Sequence, residues 1–90
     1  MNDIKTFLIS PHVLAQEVGE EIVLLDLNSD TYFGLDATGS RIWRLVKEGK
    51  DLDEICEALF NEYDASREDL ERDTALLTQE LIACGLLRQA

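Results

Sequence analysis

The side chains that could carry chemistry are few and scattered. His12 is the only histidine, it sits in strand-like sequence, and no nucleophile–base pattern accompanies it. Cys56 and Cys84 lie far apart, form no C-x-x-C pair, and each falls in an apolar helical setting. There a thiol reads as a small core residue before it reads as a redox or metal group. The acids of "DLDE" (51–54) and "EDLERD" (68–73) are plentiful but lack the spacing of a calcium loop. On helices they read as a solvated face and as partners of the amino-terminal dipole. No Gly-rich phosphate loop occurs, and "DATGS" (36–40) has the chemistry of a helix start. Neither catalysis, nor a metal, nor a cofactor is expected.

Charge narrows the partners. The 90 residues hold 19 Asp and Glu against 8 Lys and Arg, a net charge of -11. Nucleic-acid affinity comes mainly from basic residues that displace counterions, so this balance argues against it, and equally against anionic membrane surfaces. Neutral or basic partners are expected. The amino terminus carries an acid and lacks an apolar h-region, and no apolar run approaches the ~20 residues that span a bilayer. The expected compartment is the cytoplasm.

The elements that must position any site follow from pattern. One domain is expected, over 12–90, preceded by a segment 1–11 set off by Pro11, the only proline. That segment, with Phe7, Leu8 and Ile9, is either a flexible arm or an extra strand. Residues 12–18 read as extended, 19–21 as a turn, and 22–27 as an apolar strand with Val23, Leu25 and Leu27 on one face. Asn28, Ser29 and Asp30 form a run of turn residues, and 31–35 reads as a third strand, Phe33 and Leu35 facing one way, Tyr32 and Gly34 the other.

Three helices follow. Asp36 or Thr38 caps the first, with Ile42, Leu45 and Val46 on its apolar face and Gly49 as its stop. Asp51 and Glu54 form an acidic capping box for the second, whose stripe is Leu52, Ile55, Leu59 and Tyr63. Ser66 and Asp69 open the third, whose stripe is Leu70, Thr74, Leu77, Leu81 and Cys84 and whose end is Gly85. Leu86 and Leu87 then fold back as a last apolar contact. The predicted class is α+β and winged helix-turn-helix-like, a three-stranded antiparallel sheet followed by three helices. Its core is expected to hold the strand residues with Ile42, Trp43, Leu45, Ile55, Leu59, Leu77 and Leu81. As a DNA reader the third helix fails, since it offers Arg67 and Arg72 among Glu68, Asp69, Glu71, Asp73 and Glu80.

The runs "YFGLDATGSRIWRLVKEG", "DLDEICEALFNEYD" and "EDLERDTALLTQELIACGLL" resemble the coenzyme PQQ synthesis protein D family. The same domain is called the RiPP recognition element, RiPP meaning ribosomally synthesised and post-translationally modified peptide. The signature runs through Leu35, Asp36 (often Asn in the family), Thr38-Gly39 and Ile42-Trp43. It continues with the spacing of Ile55, Leu59 and Tyr63, then Asp73 and the closing Gly85-Leu86-Leu87. It covers about Val13 to Leu87. The resemblance implies a non-catalytic chaperone that binds the leader of a precursor peptide and presents it to a separate modifying enzyme. In the family that enzyme is a radical SAM protein or, in lasso-peptide pathways, a leader peptidase. It also implies that the leader adds as a strand to the third strand, in a groove walled by the third helix.

Physical chemistry agrees with such a site. The last strand of a meander has a free edge, whose unpaired N–H and C=O groups can receive an extended peptide. Thr31, Tyr32, Phe33, Gly34 and Leu35 are then the template, Gly34 permitting close backbone approach. Along the third helix Asp69, Asp73, Leu76, Glu80 and Ala83 share a face beside the buried stripe, with Leu77 in the stripe itself. Leu76 is a candidate contact for an apolar anchor, and Asp73 and Glu80 for basic residues of the leader. Plainer readings stand beside these: Leu76 as core periphery, Asp73 as a local hydrogen-bond acceptor, Phe33 as wholly buried, and the acidic face as solubility. Two other functions also remain open, a client-free interaction or dimerisation module regulating an enzyme, and a degenerate winged-helix regulator disfavoured by charge. Exchange of amino-terminal strands leaves a homodimer open as well.

Overall fold

The computed structural model describes residues 6–89. Its element order is β1 (Phe7–Ile9), β2 (Val13–Val18), β3 (Glu21–Asp26), β4 (Thr31–Leu35), α1 (Ala37–Lys47), α2 (Leu52–Glu62), α3 (Arg67–Ala83) and β5 (Leu87–Gln89). β2, β3 and β4 form an antiparallel meander with β3 at its centre, and three helices follow it, the α+β arrangement expected. The turns are those the sequence marks. Gly19 takes φ +67° between β2 and β3, and Asp30 takes φ 56° before β4, a left-handed conformation that Asp tolerates. In the same turn the Asp26 carboxylate accepts the Asn28 N–H at 2.9 Å.

A second sheet joins the ends of the chain. β1 pairs antiparallel with β5, Phe7 opposite Gln89 and Ile9 opposite Leu87. Residues 7–9 of the leading segment are thus a strand; residues 1–5 of it lie outside the described residues. Leu86 and Leu87 are buried, as their closing role requires. They are delivered by a helix end in which Gly85, at φ +78°, lets the Leu86 N–H reach back to the Leu81 carbonyl at 2.9 Å.

Each helix starts on a capping side chain. Asp36 accepts the Gly39 N–H at 2.7 Å, Asp51 and Glu54 make a reciprocal box, and Ser66 accepts the Asp69 N–H at 3.1 Å. The core lies between the sheet and the helices, centred on Trp43, Leu24, Ile55, Leu59 and Leu81. Three expectations need correction here. The buried face of β3 is Ile22 and Leu24, whereas Val23 and Leu25 are half-buried on the other face and Leu27 is exposed. Cys84 is exposed at the end of α3, and its place in the buried stripe is taken by Thr78, whose hydroxyl bonds the Thr74 carbonyl at 3.0 Å. Tyr63 caps the end of α2 and is exposed, and Leu77 is only half-buried.

Candidate functional site

β4 is paired on one side only, with β3, so among the described residues its other edge carries no strand. That edge opens on a groove of about 470 Å³. Phe33 and Gly34 of β4 form one wall, Asp73, Leu77 and Glu80 of α3 the other, and the start of α1 the floor, through Asp36, Thr38, Gly39 and Ile42. The α3 residues stand at i, i+4 and i+7, one face of the helix. Gly39 lies at a close approach: a Cβ there would come within 3.2 Å of an Asp36 carboxylate oxygen and 3.4 Å of a Leu77 methyl. A side chain at that position would fill the floor and disturb the cap.

One buried hydroxyl fixes the floor to the sheet. Ser40 Oγ accepts the Ile22 N–H at 2.7 Å and donates to the Leu35 carbonyl at 3.3 Å, tying α1 to β3 and to the end of β4. Sequence reasoning missed this residue. Its only signal was a serine on the apolar side of a helix, three residues before Trp43.

The groove lining carries three carboxylates, Asp36, Asp73 and Glu80, and no basic side chain. The apolar surfaces of Phe33, Ile42 and Leu77 lie between them. Such a cleft suits a strand with an apolar side chain facing inward and cationic neighbours. Of the ten residues expected to form the site, the structure brings Phe33, Gly34, Asp73, Leu77 and Glu80 together around the groove. Thr31 and Leu35 remain on the same strand, Leu35 buried beneath it. Tyr32 points to the opposite face of the sheet and is 72% exposed. Asp69 is held by Arg72 at 2.9 Å, and Leu76 projects to solvent beside the groove; neither lines it. Phe33 is half-buried, so one part of its ring serves the core and another the groove.

The histidine and the cysteines lie outside the groove. Cys56 is buried in α2, and that burial raises its thiol pKa. His12 Nε2 is 3.7 Å from Asp26. No cluster of three potential metal ligands occurs among the described residues, and no helix among them is long and apolar enough to cross a membrane.

A model of the family "Coenzyme PQQ synthesis protein D (PqqD)" matches residues 21–87, from β3 to the start of β5. The chain belongs to the PqqD family. Two solved structures carry the same PqqD fold. One, described as TbiB1 in complex with the TbiA(beta) leader peptide, is 45% identical at a TM-score of 0.86, over 89% of this chain and 93% of that one. The other, lasso peptide synthetase B1 complexed with the leader peptide, is 29% identical at a TM-score of 0.86, over 91% and 96%. A comparison with curated proteins gives no match. The PqqD match includes every element that lines the groove.

Proposed function

We propose that this PqqD-family protein is a non-catalytic chaperone for a precursor peptide. It takes the leader as an added strand on the β4 edge and presents it to a separate modifying enzyme. The observation that carries this reading is the free edge of β4 facing the groove against α3. Two relatives of the same fold, both solved with a leader peptide bound, support it. Backbone pairing along Thr31–Leu35 supplies sequence-tolerant affinity, and the groove supplies selectivity for alternate side chains. Asp73 and Glu80 pair with basic residues of the leader, each exposed pair adding about 0.2–1 kcal/mol. Likeness to a lasso peptide synthetase component favours a leader peptidase over a radical SAM protein as the enzyme served.

A second reading, a client-free interaction or dimerisation module, draws on the free edge of β2, where Leu14 and Val18 are exposed. The net charge of -11 opposes self-association of two such chains. An NMR titration with the leader encoded beside this gene separates the two. Leader capture predicts saturable shifts along residues 31–36 and at Asp73, Leu77 and Glu80, with 1:1 stoichiometry. No shifts at high micromolar leader, with concentration-dependent shifts along β2, would establish the module instead.

A further inference from the structure

Gly34 is a glycine that the free protein does not need. Gly19, Gly49 and Gly85 take positive φ, and Gly39 fills a close approach. Gly34 has neither reason: its φ is not positive, and a Cβ built on it would meet nothing within 4 Å. Within a strand a glycine costs chain entropy and offers no side chain to pack. A residue that costs stability and satisfies no internal contact points to a requirement met only in the bound state.

The register shows what that requirement is. Gly34 stands directly opposite Val23, and Tyr32 directly opposite Leu25, all four on the sheet face turned away from the helices. The missing side chain leaves a notch in an apolar surface, bounded by Val23 and Tyr32. On the same outer face lies a shallow cavity of about 300 Å³ lined by Leu14, Ala15, Gln16, Val23, Leu25 and Tyr32, while the Gly34 backbone itself borders the groove. A strand added to β4 directs alternate side chains into the groove and onto this outer face. Adjacent strands lie ~4.8 Å apart, so a large side chain facing Gly34 can lean across it to reach Val23 on the next strand. Edge glycines in sheets are covered in this way by aromatic neighbours.

We propose that Gly34 is a specificity residue: its notch receives one large apolar or aromatic side chain of the captured strand, on the face opposite the groove. The inference rests on the leader-capture reading and adds a second, outward-facing determinant to it. The client then carries neighbouring residues of opposite duty, one entering the acid-rimmed groove and the next covering the notch.

The test pairs stability with binding in Gly34→Thr and Gly34→Val, using the leader encoded beside this gene. Thermal unfolding is expected at or above the wild-type Tm, by up to ~6 °C, because β-branched residues favour strands. Leader affinity is expected to fall about tenfold or more, the fold-change that partial loss of one buried large side chain corresponds to. Alanine replacement of the leader's outward large residue should cost a similar factor in wild type and little more in Gly34→Thr. A Tm lower by more than ~3 °C would show that the fold itself needs the glycine and would overturn the proposal. So would a dissociation constant within about twofold of wild type, or the absence of any large apolar leader position coupled to Gly34. Wild type that fails to bind the leader at all defeats leader capture and this inference together. Wild type that binds, with Gly34→Thr unchanged, defeats the inference alone.

Discussion

The two faces of the β2–β3–β4 sheet are built from similar residues and meet opposite fates. On the inner face Ile22, Leu24 and Leu35 are buried under the helices, Leu24 completely. On the outer face Val23 and Leu25 are half-buried, while Leu14, Val18 and Tyr32 remain 55%, 59% and 72% exposed. Apolar content therefore does not decide what a sheet face becomes; what covers it does. At the β4 edge the inner face meets α1 and α3 in the larger concave site, the groove. The outer face remains a largely exposed apolar surface with only a shallow depression between Leu14, Leu25 and Tyr32.

The largest break in symmetry should appear in stability. We predict that Leu24→Ala lowers unfolding free energy by about 2–5 kcal/mol, a cavity in a closed core. Leu25→Ala on the other face should cost under ~1 kcal/mol, since solvent reaches the site without a cavity. Equal losses in urea titrations would abolish the distinction between the faces. Next comes the hydroxyl that joins the inner face to α1. Ser40→Ala leaves the Ile22 N–H without its acceptor and should cost about 1–3 kcal/mol by the same measurement.

Binding should divide along the same line. Asp73→Lys combined with Glu80→Lys, in the groove, is expected to weaken leader affinity about tenfold, by loss of two ion pairs and added repulsion. Glu20→Lys in the exposed β2–β3 turn changes charge in the same direction and should shift affinity by less than about twofold, in calorimetric titrations of both variants. A comparable loss from Glu20→Lys would mean that net charge, and not the groove, governs binding.

The smallest effect concerns the brace between the helices that cover the inner face. Arg41 donates to both carboxylate oxygens of Glu62, at 2.7–3.2 Å, and this holds the Glu62 carboxyl below its ordinary 4.5. The folded state then binds this proton less readily than the unfolded state. The contribution is complete above the ordinary value and disappears as pH falls through the lowered one. Glu62→Gln should thus lower stability at pH 7 by about 0.2–1 kcal/mol, as exposed pairs do. The gap between variant and wild type should close in acid, read as Tm against pH.

Much of the fold was legible because its signals are local. The caps at Asp36, Asp51 and Ser66, the turn before β4 and the stop at Gly85 are set by short-range hydrogen bonds and backbone preference. The inward face of β3 was not legible. In Ile22-Val23-Leu24-Leu25 both alternating sets are apolar, so period alone cannot choose, and the choice falls to the helices packed at long range. Pairing of β1 with β5 was equally hidden, since its partners stand at opposite ends of the chain. At the site, the composition of the α3 wall was readable but its helical phase was not. Asp73, Leu77 and Glu80 face the groove, and Leu76, one residue off, does not.

The small sheet at the chain ends has a kinetic consequence. Pairing Phe7 with Gln89 closes nearly the whole chain into a loop, the strand pairing of greatest sequence separation among the described residues. Contacts that close long loops form late and offer little return until the rest is in place. Three-residue strands at such a junction should also be the first to open, at a free energy below that of global unfolding. β1 packs on α1 and β5 on α3, the two helices that frame the groove. Opening of this clasp is therefore expected to loosen the floor and far wall of the groove together, and amide exchange at β1 and β5 should slow when the groove is filled.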